Sequence, residues 1–100
     1  MLLTTFSSFV DARKFARLLL EKRLAACVNI VPKLESWYWW KEKVERGEEA
    51  LLLIKTSPKR LQELVTFFQE NHPYQLPESI ALTIDWGEPN YLRWLAQSLK

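Results

Sequence analysis

Hydrophobic positions recur along this chain with two periods, and the places where the period changes mark out its elements. Leu2-Leu3-Thr4-Thr5-Phe6 is a short run of sheet-favouring residues and predicts a first strand. Ser7-Ser8 then offers a helix start, with Ser8 as N-cap and Asp11 placed to favour the helix dipole. Ala12, Phe15, Ala16, Leu19 and Leu20 follow at helical spacing, with Arg13, Lys14, Arg17 and Glu21 on the other side. That spacing predicts an amphipathic helix to about Arg23. Leu24 to Val31 predicts the next strand, stopped by Pro32, with Cys27, Asn29 and Val31 on one face and Ala26, Val28 and Ile30 on the other. After Pro32-Lys33 the extended chain bends and continues through Leu34-Glu35-Ser36-Trp37-Tyr38-Trp39-Trp40. Lys41 to Glu49 is strongly polar and contains Gly47, which predicts a turn, and Ala50 to Thr56 reads as the returning strand.

Ser57-Pro58 is a second helix start, Ser at N-cap and Pro at the first helical position. Leu61, Leu64, Val65 and Phe68 form an i, i+3, i+4, i+7 stripe, and Pro73 ends the helix by disfavouring it at His72. Tyr74 to Glu78 reads as a loop bracketed by prolines. Ile80, Leu82, Ile84 and Trp86 alternate with Ala81, Thr83 and Asp85, predicting a strand with one apolar face. Gly87 to Asn90 turns into a last helix with Tyr91, Leu92, Leu95 and Leu99 on its apolar side. The order predicts one α+β domain over residues 1–100. Its arrangement is ferredoxin-like, βαββαβ plus a C-terminal helix, with an antiparallel sheet, a long bent hairpin and both main helices on one face.

The hairpin breaks the usual pattern. Trp37 and Trp39 share one face, Tyr38 and Trp40 the other, and Leu51 and Leu53 oppose Leu52 and Ile54 in the same way. A sheet with one wet face alternates apolar and polar residues, and these segments do not. Both faces want cover, and 100 residues supply little material to give it. The expectation is an oligomer in which another subunit covers part of Trp37, Tyr38, Trp39 and Trp40.

Composition narrows the function. Five Trp are a large aromatic payload, suited to interfaces as well as cores. The net charge is only +2 with acids and bases interspersed, so no basic groove accompanies the Trp residues, and binding to nucleic acid or to a membrane surface is not expected. Lys59-Arg60, at a helix start, reads as a solvated patch. One Cys excludes an internal disulfide and a CxxC metal site. Cys27, in its Ala-Ala-Cys-Val setting, reads as a small apolar residue rather than an activated thiol. The N-terminus lacks the basic and apolar regions of a signal peptide, and no apolar run approaches the ~20 residues needed to span a bilayer. A cytoplasmic protein is the expectation. A Gly-rich phosphate loop, a Ser-His-Asp pattern and a second His are all missing, so an enzyme is not expected.

The residues also resemble a family, the CutA divalent-cation tolerance proteins. The resemblance covers nearly the whole chain. It rests on Arg23 to Asn29, on Ser36, Tyr38 and Trp40, and on Glu49 with Leu51-Leu52 and Lys55-Thr56. It continues in His72-Pro73-Tyr74 with Pro77-Glu78, and in Tyr91-Leu92 with Trp94-Leu95. It implies a ferredoxin-like fold and a homotrimer whose hairpins pair between subunits. It further implies a link to metal tolerance, with copper or another divalent cation as ligand. Where some bacterial members carry a Cys and a His pair as suggested ligands, this chain has Thr4, Asn71 and His72, so His72 is the one candidate metal ligand. An inter-subunit cleft of Cys27, Lys55, His72, Tyr74 and Glu78 is implied in the same way. The chain departs from the pattern at Lys41-Glu42, where a Gly is common, at Gln75, often Glu, and at Thr83, often Pro.

Three functions follow as expectations. The first is a trimer tied to the response to divalent metal ions, with copper binding. The second is a non-catalytic scaffold that presents its surface to a protein partner. The third is a small-molecule sensor whose ligand sits between subunits.

Overall fold

The structure, a computed structural model, describes residues 1–100. Strands β1 (Leu2–Phe6), β2 (Cys27–Trp40), β3 (Lys43–Lys55) and β4 (Ile80–Ala81) form one antiparallel sheet in the order β2-β3-β1-β4. Helices α1 (Phe9–Glu21), α2 (Pro58–Asn71) and α3 (Pro89–Ser98) complete the ferredoxin-like order.

Local chemistry sets the helix ends. Ser8 is extended, and its hydroxyl accepts from the Asp11 N–H at 3.2 Å, satisfying one orphan donor of α1. At the other end Arg23 takes φ 59°, and the N–H groups of Arg23 and Leu24 return to the carbonyls of Leu20 and Leu19. This Schellman pattern usually recruits Gly; here Arg23 fills the left-handed position, and Leu24 packs into the core beside Leu19. In α2 the Ser57 side chain makes no capping bond, so Pro58, preset for helix, carries the start.

One sheet face and two helices make the core. Leu2 and Phe6 of β1 and Leu52 and Ile54 of β3 meet Phe15 and Leu19 of α1 and Leu64 and Phe68 of α2. Phe15 lies between Phe6 and Phe68, with ring centroids 5.0 and 5.1 Å away. Burial of each such side chain contributes about 1.5–3 kcal/mol.

Three expectations change. Lys41 to Glu49 is not a long turn: β3 begins at Lys43, and only Lys41 and Glu42 turn the chain, with φ 50° and 66°. Two successive left-handed residues match the twist of a tight hairpin, so polar side chains alone did not signal a loop. The alternating segment 80–86 forms a strand only at Ile80–Ala81, with Leu82 exchanging backbone hydrogen bonds with Met1 at 2.7 and 3.0 Å; from Thr83 on it has no strand partner. Its apolar side chains, Ile80, Leu82, Ile84 and Trp86, stand exposed on the single chain. Arg60 is not a solvated charge: its guanidinium donates to the Leu99 carbonyl at 2.7 Å and to Glu63 at 3.2 Å, fastening the end of α3. Arg23 makes a matching bond to the Ser98 carbonyl at 2.9 Å.

The hairpin gives the chain its long axis, 44 Å against 26 and 22 Å. Between Val31 and Leu34 the register shifts, with Lys33 at φ 55°. Beyond that bulge β2 and β3 pair Leu34 with Glu49 through to Trp40 with Lys43. The distal arm runs clear of α1 and α2, which is why its aromatics find no cover within the chain.

Candidate functional site: a groove between hairpin and loop

The distal hairpin and the loop after α2 enclose a groove of about 810 Å³. Strand β1 contributes Thr5 at its floor, with Ser7 just beyond; Ser36 to Trp40 and Gly47 to Glu49 come from the hairpin; Tyr74 to Glu78 come from the loop. Pro73 and Pro77 bracket that loop, which bends over residues 73–76, so the groove follows from the loop's course as well as from the hairpin's reach.

A hydrogen-bond chain fixes the loop. The Tyr74 hydroxyl donates to Glu49 Oε2 at 2.7 Å, and the Tyr74 backbone N–H donates to His72 Nδ1 at 3.1 Å. Since Nδ1 accepts, the ring proton sits on Nε2, which donates to the Thr5 carbonyl at 3.0 Å and lies 3.1 Å from Thr4 Oγ1. The imidazole also stacks on Phe6, centroids 4.3 Å apart. Burial pushes the His72 pKa down, against the Thr5 carbonyl and the Glu49 charge, and burial wins. His72 is therefore a neutral bridge between α2, β1 and the loop.

Burial pushes the Glu49 carboxyl up, but the hydroxyls of Ser36, Tyr74 and Thr5, with a smaller contribution from His72, hold it below its ordinary value. Tyr74 is raised to about 12, by burial first and then by its bond to Glu49. The groove thus keeps an ionised carboxylate beside a protonated phenol at neutral pH. Glu48 and Glu78 add two more carboxylates, and no Lys, Arg or His lines the groove.

Within one chain, the five residues expected at an inter-subunit cleft fall into two groups. Tyr74 and Glu78 line the groove, and His72 lies behind Tyr74. Cys27 and Lys55 face each other across β2 and β3 at the opposite end of the ladder. Thr5 pairs with Leu51, four residues from Lys55, or roughly 13 Å along the strand. The Lys55 ammonium instead reaches the Tyr91 hydroxyl at 3.3 Å and lies over its ring. Cys27 is half-buried, its thiol 3.9 Å from Asn29 Oδ1.

The ligand set for a metal does not fit within one chain. Both His72 nitrogens are engaged in the fold. Thr4 contacts His72, but Asn71 turns back to the Phe67 carbonyl at 3.0 Å. Nowhere do three His, Cys, Asp or Glu side chains converge as a metal site requires.

Trp37 and Trp39 are 63% and 74% exposed, and Tyr38 and Trp40 are also open. Glu35 accepts from the Trp37 indole and from Arg46, both at 2.6 Å, which fixes the Trp37 ring on the arm.

Glu49 helped to carry the family resemblance, yet its sequence context gave it no site role. A signal was present: the period of two that turns Ala50, Leu52 and Ile54 toward the core puts Glu49 on the opposite face, with Leu51 and Leu53.

A four-stranded antiparallel sheet, two main helices on one side and a projecting hairpin define a small ferredoxin-like α+β protein. The chain belongs to the CutA1 divalent ion tolerance family, whose family model matches residues 1–98. It is 39% identical over 100 residues to the divalent-cation tolerance protein CutA of Pectobacterium atrosepticum, covering 100% of this chain and 91% of that one. The solved divalent cation tolerance protein of Thermus thermophilus is 46% identical with a TM-score of 0.90, covering 94% of this chain and 91% of that one. The CutA structure from Archaeoglobus fulgidus, described as periplasmic, is 33% identical with a TM-score of 0.94, covering 99% and 96%. The chain spans 66% of the length of the zebrafish relative and 49% of the mouse relative. No helix is long and apolar enough to cross a membrane.

Proposed function

We propose that the chain works as a homotrimer in the response to and tolerance of divalent metal ions, and that it acts by binding at grooves between subunits rather than by turnover. One observation carries the assembly: large aromatic side chains stand uncovered on one contiguous arm, with Trp39 74% exposed. Exposed apolar surface on this scale marks an interface. Family membership supports the link to divalent ions, and the number three comes from the family resemblance. The family's description as tolerance proteins supports a non-catalytic part. A cytoplasmic location is proposed with the rest.

The small-molecule sensor is favoured over direct copper binding by the donor geometry, since His72 is engaged on both nitrogens. Native mass spectrometry with and without one equivalent of Cu(II) per chain tests this. A trimer that stays bare fits a sensor or a scaffold. A trimer that takes copper in a fixed ratio and loses it in His72→Ala would contradict the geometry. A monomer would overturn the assembly.

A further inference from the structure

We infer that the groove takes an organic cation: a protonated amine or quaternary ammonium on an apolar body, with Glu49 as its counter-ion. This rests on reading the groove as the binding site and names the chemistry of its ligand.

Charge is the first ground. The chain forms three ion pairs, Arg17–Glu21, Arg46–Glu35 and Arg60–Glu63, and none uses a groove carboxylate. Glu49 sits half-buried, held by the 2.7 Å bond from Tyr74, and faces no cationic side chain within the groove. A fixed, partly desolvated carboxylate without a counter-charge attracts one more strongly than a mobile surface glutamate does.

The walls decide which kind of cation. Tyr38, Trp40 and Tyr74 present aromatic side chains to the same volume, Tyr38 and Trp40 from the hairpin face that carries Glu49. Aromatic faces attract ammonium groups most when the cation is soft and poorly hydrated, and cages of this make-up bind quaternary ammonium ligands. A bare divalent ion needs several converging donors, and no three such side chains converge here. About 810 Å³ lies within the range of small-molecule sites. A lysine or arginine of a neighbouring subunit would offer the same charge, and the test separates that occupant from a free ligand.

The probes are benzyltrimethylammonium, benzyl alcohol and benzoate, which share a ring and differ in charge. Calorimetry and tryptophan fluorescence on the protein in its native assembly should show saturable binding of the cation. The alcohol should bind about tenfold more weakly, and benzoate more weakly still. Glu49→Gln should weaken the cation about tenfold while leaving the alcohol unchanged. Glu78→Gln, at a side chain with no hydrogen bond to lose, should weaken it by a smaller factor and carries the test if Glu49→Gln unfolds. Equal or stronger binding of the alcohol or benzoate overturns the inference and leaves the groove a binding site. Unchanged cation binding in both variants also overturns it. Failure of all three probes overturns the groove as a ligand site, as a neighbour's basic side chain filling it would require.

Discussion

The Tyr74 hydroxyl and the Glu49 carboxylate, 25 residues apart in sequence, meet at 2.7 Å and fasten the loop after α2 to the hairpin. This bond ties the loop to β3 from the groove side, while His72 holds it from behind. A hydrogen bond to a charged acceptor contributes about 1.5–3 kcal/mol, less where water reaches it. Tyr74→Phe should therefore cost about 1–2 kcal/mol in urea denaturation. A variant as stable as the wild type would mean that the loop is held some other way.

His72 is a structural bridge, and its removal should read as such. His72→Ala loses the stack on Phe6 and the bonds to Thr5 and Tyr74, at a cost of about 2–4 kcal/mol. Copper uptake measured by titration should not change. Loss of copper binding with stability intact would reverse the assignment.

Stability should fall on both sides of neutrality. His72 has a folded pKa below its ordinary 6.5. Below that pH the unfolded chain takes up a proton that the folded chain refuses, so stability is lost as pH drops from 6.5 toward the lowered value. Glu49, lowered from 4.5, adds a second loss below that pH for the same reason. Tyr74 runs the other way: between its ordinary 10 and about 12 the unfolded chain loses the proton first, so stability falls as pH rises through that window. Chemical denaturation across pH should show the first acid loss flattened in His72→Gln. An unchanged profile would place the titration elsewhere.

Much of this was legible because local signals agreed. Ser8 and Asp11, and Pro58, placed both main helix starts, and the 3.6 period named Phe15, Leu19, Leu64 and Phe68 as core-facing. The distal part of β3, Lys43 to Glu49, was missed because the turn is made by Lys41-Glu42, which carry no turn signature, while Gly47 sits inside β3 and suggested a loop. The segment 80–86 has a strand's alternation but finds backbone partners only as far as Leu82, and alternation cannot report the length of the neighbouring strand. The groove depends on side chains from β1, the hairpin and the loop meeting in space. Tyr74 and Glu78 could be placed near each other in sequence; Glu49 could not, since its partner is 25 residues away.

The hairpin turn offers room for improvement. Lys41 and Glu42 hold left-handed backbone angles that cost roughly 1–2 kcal/mol each for ordinary residues and much less for Asn or Gly. Replacing the pair with Asn-Gly should raise stability by about 1 kcal/mol in thermal melts. A fall would show that the two side chains make contacts that matter in the assembly.

Trp39→Ala separates a lone chain from an assembled one. On a single chain this side chain is 74% exposed, so truncation should change stability by less than about 0.5 kcal/mol. At a subunit interface the same change should cost about 2 kcal/mol or more and weaken assembly. Concentration-dependent melting distinguishes the two.

Sedimentation equilibrium of the wild-type chain shows whether the aromatic arm is covered by neighbouring subunits. The expected species has three times the 11.9 kDa chain mass, held over the accessible concentration range. A stable 11.9 kDa monomer, with its aromatic arm open to water, would contradict that assembly.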